Sequence, residues 1–186
     1  MKFLSRVVWS EGMHLGPHHF QAQGRYFEDS IQFSTAALST HPHGFIGYGL
    51  DAEALTNGTV SVVHARGILP DGLPFHMPEH DALPEPRAID EVFPPTRDGL
   101  TVYLAIPARR QDGMNCALEG APAEARYLSE ARNLVDETTG RDEKEIRTGR
   151  KNIRLVVDTE PLDGLVALPL ARVMRDGAGH YIYDAE

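Results

Sequence analysis

The chain has 186 residues, of which 41% are hydrophobic and 24% charged, and its formal net charge is −9. These proportions are typical of a folded globular protein, and an acidic chain without a cluster of lysine and arginine is a poor match for nucleic acid. Cys116, the one cysteine, excludes an internal disulfide, and the lack of a signal pattern or of a run of about eighteen apolar residues predicts a cytoplasmic protein.

The amino-terminal region is predicted to form an extended arm over residues 1–16 and a helix over residues 17–40. Lys2–Trp9 is rich in β-forming residues, which favours a strand within the arm. Pro17 suits the first position of a helix because its missing N–H group would have no partner there. Four apolar residues share one face of this helix: Phe20, Phe27, Ile31 and Leu38. We therefore expect an amphipathic helix that packs its apolar face on the rest of the domain.

Two adjacent antiparallel strands are predicted after Gly44, where apolar residues recur at every second position. The alternating residues are Ile46, Tyr48 and Leu50 in the first strand and Val60, Val62 and His64 in the second. Asn57-Gly58 is predicted to make the turn that separates them.

A hairpin is predicted over residues 68–75. Pro70 presets the backbone of a type I turn, and Gly72 supplies the positive φ angle that follows it. The next stretch, Pro78–Pro95, contains five prolines, which is too many for a central strand. We expect it to form a long surface connection.

A further strand is predicted at Thr101–Ile106, where Val102, Leu104 and Ile106 share one face. Residues 108–123 are polar and without a period, which predicts a loop. The segment 124–136 fits the apolar spacing of a helix and of a strand, and intrinsic propensity favours the helix.

The carboxy-terminal third is predicted to be β-structure. Ile146–Asp158 forms one strand region, and Leu165–Met174 pairs with His180–Tyr183 across the turn Asp176–Gly179. Pro169 places its strand at a sheet edge or at a bulge, because proline donates no hydrogen bond to a neighbouring strand.

The pattern as a whole predicts a mainly β protein. Seventeen glycines and thirteen prolines favour a loop-rich architecture over a helical bundle. An arm and one amphipathic helix, followed by seven or eight short strands over residues 45–186, predict a β-sandwich with the helix on or beside it.

The most specific motif is the thirteen-residue run W-S-E-G-M-H-L-G-P-H-H-F-Q at Trp9–Gln21. Three later segments occur in order along the chain: G-I-L-P-D-G-L-P-F from Gly67, N-I-R-L from Asn152, and P-L-A-R-V-M-R-D-G-A-G from Pro169. This set resembles the TssK family, baseplate subunits of bacterial type VI secretion systems. His18 departs from the family pattern, in which glutamine is expected.

The resemblance implies a fold, a function and partners. TssK proteins carry an amino-terminal β-sandwich similar to the shoulder domain of phage receptor-binding proteins, then a helical neck and a carboxy-terminal head. Residues 1–186 are therefore expected to be a single shoulder domain that lacks the neck and head. The implied role is a non-enzymatic adaptor that anchors TssK trimers to a wedge of TssF and TssG, within a baseplate near the inner membrane. The head is the part of TssK that reaches the membrane complex. The resemblance also implies a strand at 124–136.

The opening motif supplies the candidate partner-binding residues, because tryptophan, methionine and phenylalanine are enriched at the centres of protein interfaces. These residues are Trp9, Met13, Leu15, Pro17, His19 and Phe20. The alternative is that their apolar side chains fill the edge of the sandwich. The two possibilities are compatible for different residues of the set.

Two other classes of function are weighed. His76, Glu79 and His80 have the composition of a two-histidine, one-carboxylate metal site of a β-sandwich enzyme, although Pro78 interrupts regular geometry between them. A carbohydrate-binding sandwich would need an exposed aromatic platform, for which one tryptophan and six tyrosines are few. The sequence has no catalytic motif, so we predict no catalytic, cofactor or metal site.

Overall fold

The computed structural model describes residues 5–118 and 124–184. It is mainly β, with one long helix, α1 (Pro17–Leu38), and a short helix, α2 (Ala52–Thr56). The described strands are β1 (Gly44–Leu50), β2 (Thr59–Val60), β3 (Val62–Ile68), β4 (Pro74–Met77), β5 (Arg87–Ala88), β6 (Gly99–Pro107), β7 (Cys116–Ala117), β8 (Tyr127–Asp136), β9 (Arg141–Lys151), β10 (Arg154–Val157), β11 (Leu165–Arg175) and β12 (Tyr181–Tyr183). The predicted mainly β class with one main helix is confirmed.

Two antiparallel sheets supply most of the core. The first has the order β1-β3-β4 and the second the order β10-β6-β11-β12. Strand β6 is the centre of the second sheet, with Leu104 opposite Leu155 of β10 and opposite Leu168 of β11. The predicted inward face of β6 is confirmed, since Val102, Leu104 and Ile106 are fully buried. Burial of these branched side chains is the main source of stability.

Several local predictions are confirmed. The hairpin joins β3 to β4, and the Gly72 N–H donates to the Leu69 carbonyl at 2.8 Å, with a φ of 86° at Gly72. Strand β11 pairs with β12 across the predicted turn. Pro169 lies beside a register shift in β11, and β12 pairs only with Val173–Arg175, so within the described residues Pro169 is at a bulge and at a stretch of β11 that has a neighbour on one side only. The segment 124–136 contains β8, as the family resemblance implied.

The proline-rich segment is not simply a surface connection. Ile89 is 0% exposed and Phe93 is 2% exposed, and both belong to the core. The short strand β5 within it pairs with β2. Arg175 then covers Phe93, its guanidinium lying 4.4 Å from the ring centre while donating to the Phe93 carbonyl. The prolines prevent a long strand, but the apolar residues between them still bury their side chains.

The region between β1 and β3 differs from the prediction in two ways. Helix α2 replaces a simple turn, because the Asp51 carboxylate caps it by accepting from the Glu53 and Ala54 N–H groups at 2.9 and 3.0 Å. Register shifts in β1 also change which side chains point inward. Ile46 and Tyr48 are consequently 69% and 46% exposed.

Other element boundaries are corrected. Residues 5–9 form no strand, and residues 2–4 of the predicted Lys2–Trp9 strand lie outside the described part. The predicted loop 108–123 contains β7, with residues 119–123 not described. The predicted Ile146–Asp158 strand is two strands, β9 and β10, because Asn152 interrupts them and its side chain donates to the Ala125 carbonyl.

Strands β8 and β9 form a long hairpin that projects from the core. Residues 131–147 are all exposed. At its tip, the Asp136 carboxylate accepts from the Thr138 and Thr139 N–H groups, and these bonds hold its pKa below the ordinary value. At its base, Lys151 binds the Asp81 carboxylate and the Pro74 carbonyl, each at 2.9 Å.

Candidate docking surface

The predicted helix start is confirmed. Pro17 is the first helical residue and Gly16 is the preceding cap residue, with an extended backbone. The Gly16 N–H donates to Nδ1 of His19 at 3.1 Å, which fixes that ring against the helix end. His19 therefore has a structural role at the helix start as well as its predicted place in the binding set.

The opening motif presents an aromatic group at the surface. The Trp9 ring centre lies 6.3 Å from that of His19 and 6.4 Å from that of Phe20. Trp9 is 49% exposed, Leu15 51% and Phe20 61%. The hypothesis that these side chains fill the sandwich edge is wrong, because none of the residues 5–38 is buried.

We call the six predicted residues the arm surface: Trp9, Met13, Leu15, Pro17, His19 and Phe20. The structure brings Trp9, His19 and Phe20 into one group. Met13 is partly buried at a turn in which the Met13 N–H donates to the Ser10 carbonyl. Leu15 and Pro17 are exposed beside it along the chain. Val8, which precedes Trp9 in the chain and lay within the predicted strand, is 82% exposed.

Helix α1 is attached to the body through its polar flank. Arg109, in the loop after β6, binds Asp29 at 2.6 Å and Glu28 at 3.5 Å. The Asp29 side chain is only 11% exposed. Gln32 also contacts the hairpin turn, since a Cβ atom at Gly72 would lie 2.5 Å from Gln32 Cγ. The helix therefore turns its polar side toward the sandwich.

The apolar face of α1 is largely exposed, although Ile31 also lines the cavity between α1 and the body, which corrects the expectation that the face packs on the domain. Phe27 is 56% exposed, Ile31 67% and Leu38 90%. We call these three residues the helix stripe. Phe33, on the opposite flank of the helix, is also exposed, at 65%.

A cavity of about 210 Å³ separates α1 from the body. Arg126, 4% exposed, lies in its wall and binds Asp71 at 2.6 Å and the Pro107 carbonyl at 2.9 Å. Burial raises the pKa of the neighbouring Tyr127, although Arg126 opposes that shift. The cavity is smaller than typical small-molecule sites of about 300–1,000 Å³. The charged groups that line the cavity are paired, and the pair of Arg126 with Asp71 holds the β3–β4 turn to the start of β8.

The residues considered for a metal site do not form one. His76 Nε2 lies 3.2 Å from a Glu79 oxygen, and the His80 ring centre lies 5.2 Å from that of His76. Asp81, the carboxylate that follows His80 in the chain, accepts from Lys151 and from the His76 N–H group. Across residues 5–118 and 124–184 no group of three or more such ligands converges.

The exposed aromatic residues do not form a flat platform for a sugar. The Trp9 ring plane is inclined by 36° to that of His19 and by 55° to that of Phe20. The helix rings Phe27 and Phe33 lie on different flanks of α1. This arrangement favours irregular contact with another protein over stacking on a planar ring.

Within the described residues, no helix has both the length and the apolar character needed to span a membrane.

Comparison with known proteins places the sequence in a family. Residues 19–186 match a family described as "Bacterial Type VI secretion, VC_A0110, EvfL, ImpJ, VasE". The chain belongs to this family. A relative within the TssK group, the type VI secretion system baseplate component TssK1 of Pseudomonas aeruginosa, is 37% identical over 175 residues, covering 93% of this chain and 38% of the relative. The resemblance to TssK is thus confirmed.

Solved TssK structures share the fold. A crystal structure of TssK matches 98% of this chain and 41% of its own, with 31% identity and a TM-score of 0.85. A cryo-electron microscopy structure described as the TssK-TssF-TssG baseplate subcomplex matches all of this chain and 61% of its own, with 24% identity and a TM-score of 0.87. The second match concerns the fold alone. The chain spans less than half the length of the curated relative.

Proposed function

We propose that this chain is the shoulder domain of a TssK-type baseplate subunit and that it acts as a non-enzymatic adaptor for a TssF–TssG wedge. The observation that carries the proposal is the exposed arm surface, which leaves Trp9, Leu15 and Phe20 at the outside of a family member. Membership of the type VI secretion family and the TssK1 relative support the baseplate role. In the described part of the chain, no three metal ligands converge.

The arm surface suits a protein partner for physical reasons. Trp9 and Phe20 offer large apolar areas with few rotatable bonds, so little side-chain freedom is lost on binding. The contact with His19, which is itself fixed to Gly16, orders this group before a partner arrives. Preorganisation of this kind lowers the entropic cost of association. The arm surface is therefore assigned to the wedge.

The helix stripe is assigned to a different role. The TssK1 relative is much longer than this chain, and the family resemblance implies a helical neck after the shoulder. An exposed row of Phe27, Ile31 and Leu38 on a helix is suited to pack against other helices. In a subunit of the relatives' length, the neck covers this stripe and supports the trimer. The subunit then lies in the cytoplasm, at a baseplate beside the inner membrane.

The arm assignment is tested with Trp9→Ala and binding to a purified TssF–TssG complex. Loss of an interface hot spot of about 2 kcal/mol would weaken binding roughly thirtyfold. The melting temperature should change little, because Trp9 is half exposed. Isothermal titration gives the affinity and differential scanning calorimetry gives the melting temperature.

The matched control is Phe33→Ala, which removes another exposed aromatic ring from the same amino-terminal region but lies off the arm surface. It should retain the affinity of the unaltered chain. If the unaltered chain does not bind the wedge, the adaptor role is wrong. If binding occurs but Trp9→Ala and Phe33→Ala behave alike, the wedge contacts another face of the sandwich.

A further inference from the structure

The β8–β9 hairpin leaves one long strand edge without a neighbour in the described part. Its sheet has the order β7-β8-β9, so the outer edge of β9 pairs with no described strand. Residues 141–147 of that strand are exposed. An isolated two-stranded ribbon is only marginally stable, and an open edge is a template for another strand. No proline interrupts β9.

The charges of β9 are divided into two halves about Ile146. Residues 142–145 contain three acidic side chains and one lysine, whereas residues 147–151 contain three basic side chains and no acidic one. Ile146 between them is 41% exposed. An antiparallel neighbour with the same sequence would place the acidic half of each strand beside the basic half of the other.

Symmetry restricts how two such strands can pair. Backbone N–H and C=O groups point alternately to the two sides of a strand, and antiparallel partners must have the same alternation. When two identical strands pair about a twofold axis, one residue therefore lies opposite its own copy. The possible registers are defined by which residue occupies that axis.

The register centred on Ile146 satisfies both the symmetry and the charges. Ile146 then meets its own copy, and Glu145 of each strand lies opposite Arg147 of the other. Centring the pair on Lys144, Glu145 or Arg147 would instead place two like charges face to face on the axis. Like charges directly opposite one another destabilise a sheet, and opposite charges stabilise it.

We propose that β9 pairs with β9 of a second copy of this chain, antiparallel and centred on Ile146, to form a continuous four-stranded sheet from two β8–β9 hairpins. The regular pairing extends over residues 143–149, because Asp142 has a φ of 57° and departs from strand geometry. The outer pair Arg141 and Lys151, which carries like charges, falls outside that segment. Such a contact is isologous and closes at two copies.

The proposal is independent of the baseplate role, because it uses neither the arm surface nor the helix stripe. The contact is small and polar, so self-association should be weak and should fall as salt is added. At about 1 M salt the screening length is only about 3 Å, which should largely abolish the charge contribution. Sedimentation equilibrium of the full chain over a range of concentrations measures it.

A charge-reversal cycle tests the register. Glu145→Arg alone, or Arg147→Glu alone, places two like-charged pairs across the axis and should weaken self-association about tenfold or more. The double substitution restores both opposite-charge pairs and should recover the affinity. An equimolar mixture of the two single variants should also associate, because each strand then carries the charges that the other needs.

Glu137→Arg is the control, since Glu137 lies at the hairpin tip outside β9 and should leave association unchanged. Circular dichroism checks that the variants retain the fold. Recovery in both the double variant and the mixture supports the register. A chain that stays monomeric at millimolar concentration, or association that is insensitive to both single reversals, overturns the proposal, and the latter result would assign association to the apolar amino-terminal surface.

Discussion

Individual glycines allow the first sheet to form, because two of its strands approach closely. Gly67 on β3 is buried, and a Cβ atom there would lie 2.3 Å from the Gly44 carbonyl oxygen and 2.8 Å from the Phe75 ring. Gly47 on the partner strand is different, since the nearest atom to its Cβ would be Arg66 Nε at 3.8 Å. Neither glycine has a φ angle in the left-handed region. The two positions therefore differ in the space that is available for a side chain.

The first prediction compares Gly67→Ala with Gly47→Ala. Gly67→Ala should lower the free energy of unfolding by about 2 kcal/mol or more, because the backbone at Gly44 must move. Gly47→Ala should be neutral or slightly stabilising, since alanine reduces the entropy of the unfolded chain. Urea unfolding of both variants measures the difference. Equal effects would show that β1 adjusts its position freely.

Tyr183 supplies a second prediction at the residue scale, on pH dependence. Burial, with a smaller contribution from Asp51, raises the pKa of Tyr183 to about 12. Because the folded pKa lies above the unfolded value of about 10, the neutral phenol stabilises the fold at lower pH. That stability is fully present below about pH 10 and decreases as the pH rises toward 12.

Tyr183→Phe should remove the part of the loss of stability at alkaline pH that comes from ionisation of Tyr183. The Tyr183 hydroxyl is also buried without a hydrogen-bond partner in the described structure, so its removal should be neutral or stabilising at pH 7. Unfolding free energies of both proteins between pH 7 and 12 give the comparison. A parallel decrease for the two proteins would contradict the assignment to Tyr183.

Helix α1 differs from the usual surface helix of a globular domain, because most of its apolar face is exposed. Its ends are defined locally by Gly16 and Ser39, and its attachment depends on Arg109 with Asp29 and Glu28. Ion pairs at partly exposed positions contribute about 1 kcal/mol or less each. The helix is therefore held to the sandwich less firmly than the core strands are held to one another.

Phe27→Ala should for this reason have little effect on folding of the chain. Truncating a half-exposed side chain that packs on no core residue should lower the free energy of unfolding by less than about 1 kcal/mol. Leu104→Ala, in the fully buried centre of β6, should cost about 2–5 kcal/mol. Thermal unfolding of the two variants gives the contrast. A loss of several kcal/mol in Phe27→Ala would mean that the helix stripe is covered within the chain.

At the scale of the whole molecule, the described residues form one packed sandwich and three peripheral parts: the arm, α1 and the β8–β9 hairpin. The sandwich contains the buried residues of both main sheets, together with Leu55, Ile89 and Phe93 from the connections. The peripheral parts carry most of the large exposed apolar side chains of the described residues. The surfaces proposed for docking thus lie on the elements that contribute least to the core.

Hydrogen exchange should show the same division. Backbone amides of β6 should exchange only through global unfolding, because β6 lies between two strands and its side chains Val102, Leu104 and Ile106 are buried. Amides of α1 and of the hairpin tip should exchange faster, through local opening. Mass spectrometry of peptides along the chain measures both rates. Equal protection of α1 and β6 would indicate a single cooperative unit.

The sequence by itself determined the features that depend on neighbouring residues. Pro17 starts the helix, Pro70 and Gly72 form the hairpin turn, and alternation identifies the inner face of β6. The arm surface was also named from its motif, because its residue types are costly to expose. Its assignment to a partner remains a proposal.

Tertiary structure decided what depends on residues distant in the chain. Pairing with β9 gives residues 127–136 a strand in place of the helix that their propensity favours. Arg109, eighty positions from Asp29, sets which face of α1 meets the sandwich. Register shifts in β1 leave Ile46 exposed, whereas Ile89 of the proline-rich segment is buried in the core. Local sequence patterns specify the conformation of the backbone. The direction in which a side chain points, and whether it is buried, depend on contacts between residues that are distant in the chain.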